Sequence, residues 1–367
     1  MSEPGPPEET SDPPPNGGPG SLDEPEAPIG DPAPLALEPA LDAPPPTEPA
    51  ATARPGLRTF SLEHRVAPGL YLAGWLACLV GLGLVIVSVL TPASPVRSAL
   101  LVIGLLFLSV GLLAAAGQQA LERRARPWTG YAGPSPFLVF AAAIPCSLLL
   151  ALFEGLVLSL LGVGFDSPAG IVAGSLATAI PFVLLVRMLV LGTGALTLAD
   201  LGFARRGGQI LRDAGSGVFW GIAVVFGTGL LALALRSLLP TPPGPLPVPT
   251  SAAERVADLI VAVLIAPVSE EIFFRGFATT AWARTMSRGR AIVRSGLFFA
   301  FIHVLTLSGA TSFEQGLGFA AFAFLGRIPV SLALAAAFLR RGSIYESLAL
   351  HSTFNAVPLL FVFLAAG

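Results

Sequence analysis

Ile260-Val-Ala-Val-Leu-Ile-Ala-Pro-Val-Ser-Glu270-Glu271-Ile-Phe-Phe-Arg275 sets two carboxylates and a guanidinium inside an apolar run. That run, 257–281, is long enough to span a bilayer, which takes about 20 apolar residues. Charges at that depth cost several kcal/mol each, so the run reads as a transmembrane helix whose polar residues have a function. Two further patterns of the same kind follow, Phe299-Ala-Phe-Ile-His303 and His351-Ser-Thr-Phe-Asn355. The chain has only three histidines, and two fall in these patterns.

Composition widens the reading from one span to the whole chain. Hydrophobic residues make up 53% and charged residues 12%, against about 25% charge in a soluble domain. Eight further apolar runs, at 70–90, 98–117, 137–160, 171–197, 216–239, 291–308, 317–339 and 343–365, bring the expected count to nine. Eight spans would remain if one run were re-entrant. The predicted fold is therefore an all-α, polytopic transmembrane helix bundle. Prolines inside the runs, such as Pro145, Pro181, Pro267, Pro329 and Pro358, are tolerated where neighbouring helices satisfy the freed backbone groups.

The arginines agree with this count. Clusters at Arg54/Arg58/Arg65, Arg123/Arg124/Arg126, Arg205/Arg206/Arg212, Arg284/Arg288/Arg290/Arg294 and Arg340/Arg341 fall in alternate loops, and the loops between are arginine-poor. The positive-inside rule then puts the N-terminus in the cytoplasm and the C-terminus outside. All 21 basic residues are arginine, a bias that points to a GC-rich bacterium and a multi-pass protein of an inner or plasma membrane.

Residues 1–60 are a separate piece. The first fifty hold eleven acidic residues, no basic ones and sixteen prolines. Such a segment cannot bury enough apolar surface to offset its ordering entropy, so a disordered cytoplasmic tail is expected. Residues 61–195 would form a first group of membrane helices and 196–367 the catalytic core. Cys78 and Cys146 sit in apolar runs without metal or redox spacing and read as packing residues. Glu154 and Arg187 are also intramembrane charges, but their depths differ by roughly 10 Å.

Depth and helical phase bring the polar residues together. Counted from the cytosolic ends of their spans, Glu270, Glu271, His303, His351 and Asn355 all lie roughly 12–18 Å in. Glu271 and Arg275 are four apart and share a helix face, as do Phe299 and His303, and His351 and Asn355. Glu271 is thus placed to pair with Arg275, which lowers the cost of burying both. Glu270, rotated by about 100°, is free to face His303 and His351. A carboxylate and an imidazole sharing a water can take its proton, and His351 with Asn355 could hold an oxyanion. The alternative is a zinc ion held by Glu270, His303 and His351 with one open position.

The three motifs resemble those of the CPBP family, the CAAX prenyl endopeptidases and bacteriocin-processing enzymes also called the Abi family. Asp200-Leu-Gly-Phe203 with Arg205 and Arg206 is similar to a segment often seen upstream in that family, and the resemblance covers roughly 195–365. It implies an intramembrane endopeptidase whose cavity opens to the cytosol and the bilayer. Glu270 would then activate water beside His303, His351 and Asn355 would hold the oxyanion or His351 would bind a metal, and Glu271, Arg275 and Phe299 would support them. The implied partners are membrane lipid and membrane-associated or prenylated peptides, not nucleic acid. A scaffold or immunity protein without catalysis, or a proton-coupled transporter, are the competing function classes.

Overall fold

The computed structural model describes residues 62–63, 65–125, 130–243 and 249–365. The tail expected over 1–60 lies outside the described residues. Among the described residues every regular element is helical, and nine segments follow one another. They are α1 (Pro68–Leu90), α2 (Pro95–Arg124), α3 (Pro136–Leu160), α4 (Pro168–Leu185, prolonged by a π turn Val186–Leu191), α5 (Gly208–Arg236), α6 (252–283), α7 (Arg288–Ile302), α8 (Phe313–Arg341) and α9 (Ile344–Ala365).

Seven of the nine are long and apolar enough to cross a membrane, so this is a multi-pass membrane protein. The other two are the helices that carry Glu270 and His303. In α6, α-helical turns alternate with wider π turns at Ile260–Ile265 and Glu271–Thr279. Helix α7 has 15 residues, about 22 Å of rise, and stops well short of the run expected over 291–308. Its end has a local cause. The imidazole Nδ1 of His303 lies 2.8 Å from the Phe299 carbonyl, the acceptor that a continuing helix would offer to the backbone N–H of residue 303.

Glycine lets the helices approach where lipid supplies no hydrophobic drive between them. Helices α1 and α2 pair along Gly74, Gly81, Gly104 and Gly111, where a Cβ at Gly81 would come within 2.6 Å of the Leu108 amide nitrogen. Gly217 and Gly221 do the same for α5 against α9, with a Cβ at Gly217 only 2.3 Å from the Glu346 carbonyl oxygen. The interior between α3, α4, α6 and α7 is aromatic. Phe182 and Phe273 meet edge to face at 5.3 Å, Phe274 and Phe299 at 5.0 Å, and Phe140 and Phe298 at 5.1 Å.

A polar clamp closes the end of the bundle that carries the arginine clusters. Asp200 pairs with Arg284 at the end of α6. The Gly202 carbonyl accepts from the Ile344 N–H at 3.2 Å, at the start of α9. Gly202 has φ +85°, and a Cβ there would come within 2.6 Å of that same nitrogen, so a glycine is required. Arg205 donates to the Arg341 carbonyl. Arg341 pairs at 3.0 Å with Asp213 on α5, and Arg340 pairs with Glu346 on α9. Asp213 and Glu346 are fully buried. The Asp200–Arg206 segment thus ties together the ends of α5, α6, α8 and α9.

Gly217→Leu is expected to force α5 from α9 and lower stability by about 1–3 kcal/mol, read as a fall in melting temperature of the purified protein. Gly227→Ala, inside the same helix and where an added Cβ meets nothing within 4 Å, should not lower that temperature.

Candidate active site

The site begins with a proline. In the first π turn of α6 the Ala266 N–H reaches the Val261 carbonyl, five residues back. The next donor in that register belongs to residue 267, a proline, which has none. The Ala262 carbonyl is left open, and Asn355 Nδ2 on α9 donates to it at 2.8 Å. Ser352 Oγ, also on α9, donates to the Val263 carbonyl at 2.7 Å, the acceptor that Pro267 leaves open in ordinary α register. Helix α9 is thereby held against α6 about two turns before the glutamates. Asn355 has a backbone partner that its spacing from His351 did not reveal.

Next comes the buried charge. Glu271 and Arg275 are both fully buried and pair at 3.0 Å through Oε1 and Nη1. His351 Nδ1 sits 2.8 Å from the same Oε1. The Arg275 guanidinium lies over the Phe299 ring, 4.1 Å from its centroid, and reaches the Ser331 carbonyl on α8 at 3.5 Å. One ion pair thus draws α6, α7, α8 and α9 together. Helical spacing had placed Glu271 beside Arg275. It had not shown that His351 bonds to Glu271.

Glu270 points elsewhere. Its Oε2 lies 3.8 Å from His351 Nε2 and 4.0 Å from His303 Nε2, and that oxygen is buried without a hydrogen-bond partner. The tautomers follow from the other ring nitrogens. The Phe299 carbonyl and the Glu271 carboxylate are acceptors, so each Nδ1 carries the proton and donates. In a neutral ring Nε2 is then a lone pair facing Glu270, and in a protonated ring it is a donor. Both Nε2 atoms thus face one carboxylate oxygen of Glu270.

Such a convergence attracts a water, a proton or a cation. Two histidines and a carboxylate, with both Nδ1 atoms bonded, are a chemically suitable donor set for zinc. The spacing does not suit it. Ligands about 2.1 Å from a tetrahedral ion lie about 3.4 Å from one another, and Glu270 is 3.8 and 4.0 Å from its neighbours. No group of three or more His, Cys, Asp or Glu among the described residues is arranged to hold a metal. The residues as placed do not fit a metal centre.

Glu270 also lines a cavity of about 520 Å³ whose walls include Phe140, Ile144, Leu148, Phe182 and Phe273. Helices α3 and α4 supply much of that wall, so the first group of helices contributes to the site. Glu154 and Arg187 do not join the cluster. Arg187 borders a different apolar cavity, between α4 and α6. Arg327 on α8 went unnoticed in the sequence, although its position inside the run 317–339 was a signal. It is half-buried, and its guanidinium reaches the Ala323 carbonyl at 3.4 Å.

Fold and site together define a class, a polytopic helical membrane protein with a glutamate and two histidines facing one another across three helices. Residues 252–357 match the family described as type II CAAX prenyl endopeptidase Rce1-like, in agreement with the family that the three motifs resemble. The match takes in all three motifs, from α6 into α9, and is narrower than the stretch 195–365 over which the resemblance was read. No curated protein and no solved structure matches the chain.

The shared Glu271 oxygen generates a stability test. Arg275→Leu strands a buried carboxylate and is expected to cost about 3–5 kcal/mol. The double variant Glu271→Leu/Arg275→Leu removes both charges and should melt above the single one. Melting curves of the three proteins in one detergent decide it, and equal loss in single and double variants would contradict the pairing.

Proposed function

We propose that the protein is an intramembrane endopeptidase that hydrolyses membrane-associated or lipidated peptides with water activated by Glu270. One observation carries this reading, the approach of two imidazole Nε2 atoms to Glu270 Oε2, an oxygen buried without a hydrogen-bond partner. A water there donates one proton to Glu270 and the other to an imidazole. When the second imidazole is protonated it donates to the same oxygen, and one lone pair of the water remains for attack. As that oxygen bonds to the peptide carbonyl carbon, Glu270 takes the proton and the carbonyl electron pair moves to its oxygen. Collapse breaks the C–N bond, and the proton passes from Glu270 to the leaving amine.

The remaining residues fit around this step. Phe299 lies against Arg275, Arg275 holds Glu271, Glu271 orients His351, and Asn355 anchors α9 on the backbone of α6. The apolar cavity beside Glu270 suits a substrate that arrives from the bilayer. The match to a CAAX-type protease family supports the reaction class, and the two-histidine, one-glutamate set supplies its acid and base. We place the N-terminus and the mouth of the site on the cytoplasmic side, where the arginine clusters lie.

The test is cleavage of a fluorogenic membrane-anchored peptide library, with and without prenyl groups, by the full chain in lipid. Glu270→Gln and His303→Ala are expected to lower turnover at least about 100-fold, within the range for a general base, with melting unchanged. Chelation is expected to leave the rate alone. Loss of activity to a chelator and its return with zinc would overturn the metal-free step. A well-folded wild type that cleaves nothing would overturn the protease reading in favour of a scaffold.

A further inference from the structure

Four arginines meet two buried carboxylates at the clamped end of the bundle. Asp213 Oδ1 lies 3.0 Å from Arg341 and 3.8 Å from Arg212, and its Oδ2 lies 3.5 Å from Arg205. Glu346 pairs through Oε1 with Arg340, and its Oε2 lies 3.4 Å from Arg341. Every oxygen of the two carboxylates thus faces a guanidinium, and two positive charges are left over. Asp213 and Glu346 are fully buried, whereas the Arg340 and Arg212 side chains are 44% and 61% exposed. The surplus charge therefore sits at the surface, at the ends of α5 and α8, two helices that are long and apolar enough to cross a membrane.

Beside Arg340 the helices do not close. A cavity of about 200 Å³ lies between α5, α8 and α9, with Val224, Ala333, Ala336 and Leu350 among its walls and Trp220 and Arg340 on its rim. Ser216, Trp220 and Val224 recur every fourth residue on α5 and so share one helix face. The Arg340 guanidinium is 5.7 Å from the centre of the Trp220 ring, and Trp220 is 43% exposed, so the cavity opens outward. Among the described residues the hydrogen bonds of Arg340 all leave from Nη2, to Glu346 and to Ser216. Its other N–H groups remain for an anion.

We infer that this is a binding site for an anionic phospholipid, with the phosphate on Arg340 and one acyl chain in the cavity between α5 and α8. A basic pocket between membrane helices recognises a lipid headgroup in this way, and the ring of Trp220 suits the boundary between headgroup and chain. The surplus charge selects the ligand. A zwitterionic lipid brings its own cation and gains little from it. Inorganic phosphate would leave the apolar cavity unfilled.

The test uses the full chain in phosphatidylcholine nanodiscs that hold a fraction of either brominated phosphatidylglycerol or brominated phosphatidylcholine. Bromine on the acyl chain quenches a neighbouring indole, and the Trp220 signal is the difference between the wild type and Trp220→Phe. Half-quenching is expected at about a fivefold lower fraction of phosphatidylglycerol, the factor that one arginine supplies at an anionic surface. Arg340→Gln is expected to remove that preference and Arg212→Gln to reduce it. Ala336→Leu, which fills the cavity, should weaken quenching by both lipids. Arg290→Gln, in another arginine cluster, should change nothing. Equal quenching by the two lipids in the wild type overturns the inference, as does a preference that survives in a folded Arg340→Gln. Should Arg340→Gln melt early, wild-type behaviour of both Arg212→Gln and Ala336→Leu overturns it instead. Loss of the preference on adding inorganic phosphate at constant ionic strength would assign the arginines to a free anion and also overturn it.

Discussion

A single carboxylate oxygen, Glu271 Oε1, organises the centre of this molecule. It is fully buried and accepts from Arg275 on its own helix and from His351 on α9. A charge buried there is tolerable only with partners in good geometry, so its presence constrains the position of both. It also fixes the ring of His351, because an Nδ1 committed to Glu271 leaves Nε2 facing Glu270. The geometry of the candidate nucleophile site follows from a residue that does not itself face the substrate.

The backbone of α6 is adapted to the same end. Pro267 withholds an N–H three residues before Glu270, and the π turns around it free carbonyls that a regular helix would satisfy internally. Ser352 and Asn355 take two of them, so the defect in one helix becomes the seat of another. Gly217 and Gly221 bring α5 against α9 from the opposite side, and the Asp200–Arg206 segment fixes the helix ends. Four independent contacts therefore locate His351. The cavity wall from α3 and α4, outside the matched segment 252–357, is the part where a different substrate preference could be built without disturbing that frame.

Much of this could be read from the residues. Length and apolarity of the runs predicted about nine membrane spans; nine helical segments follow one another among the described residues, and seven of them are long and apolar enough to cross a bilayer. The four-residue spacing of Glu271 and Arg275 predicted their pair, which survives the local widening to a π turn. Depth counting brought Glu270, His303 and His351 to one level. The π turns themselves were not readable, since an apolar run looks the same in either register. The partner of Asn355 depended on a missing hydrogen bond at Pro267, and the early end of α7 on the choice of acceptor by the His303 side chain. Arg327 has no motif around it, only an unexpected charge in an apolar helix.

The most direct measurement is an experimental map of the wild-type protein in lipid, detailed enough to show ordered water and paired with anomalous scattering at the zinc edge. One density feature is expected about 2.8 Å from Glu270 Oε2 and the two Nε2 atoms, the separation of a hydrogen-bonded water, with no anomalous signal. A peak about 2.1 Å from all three with a zinc signal, or Nε2 atoms turned away from Glu270, would contradict it.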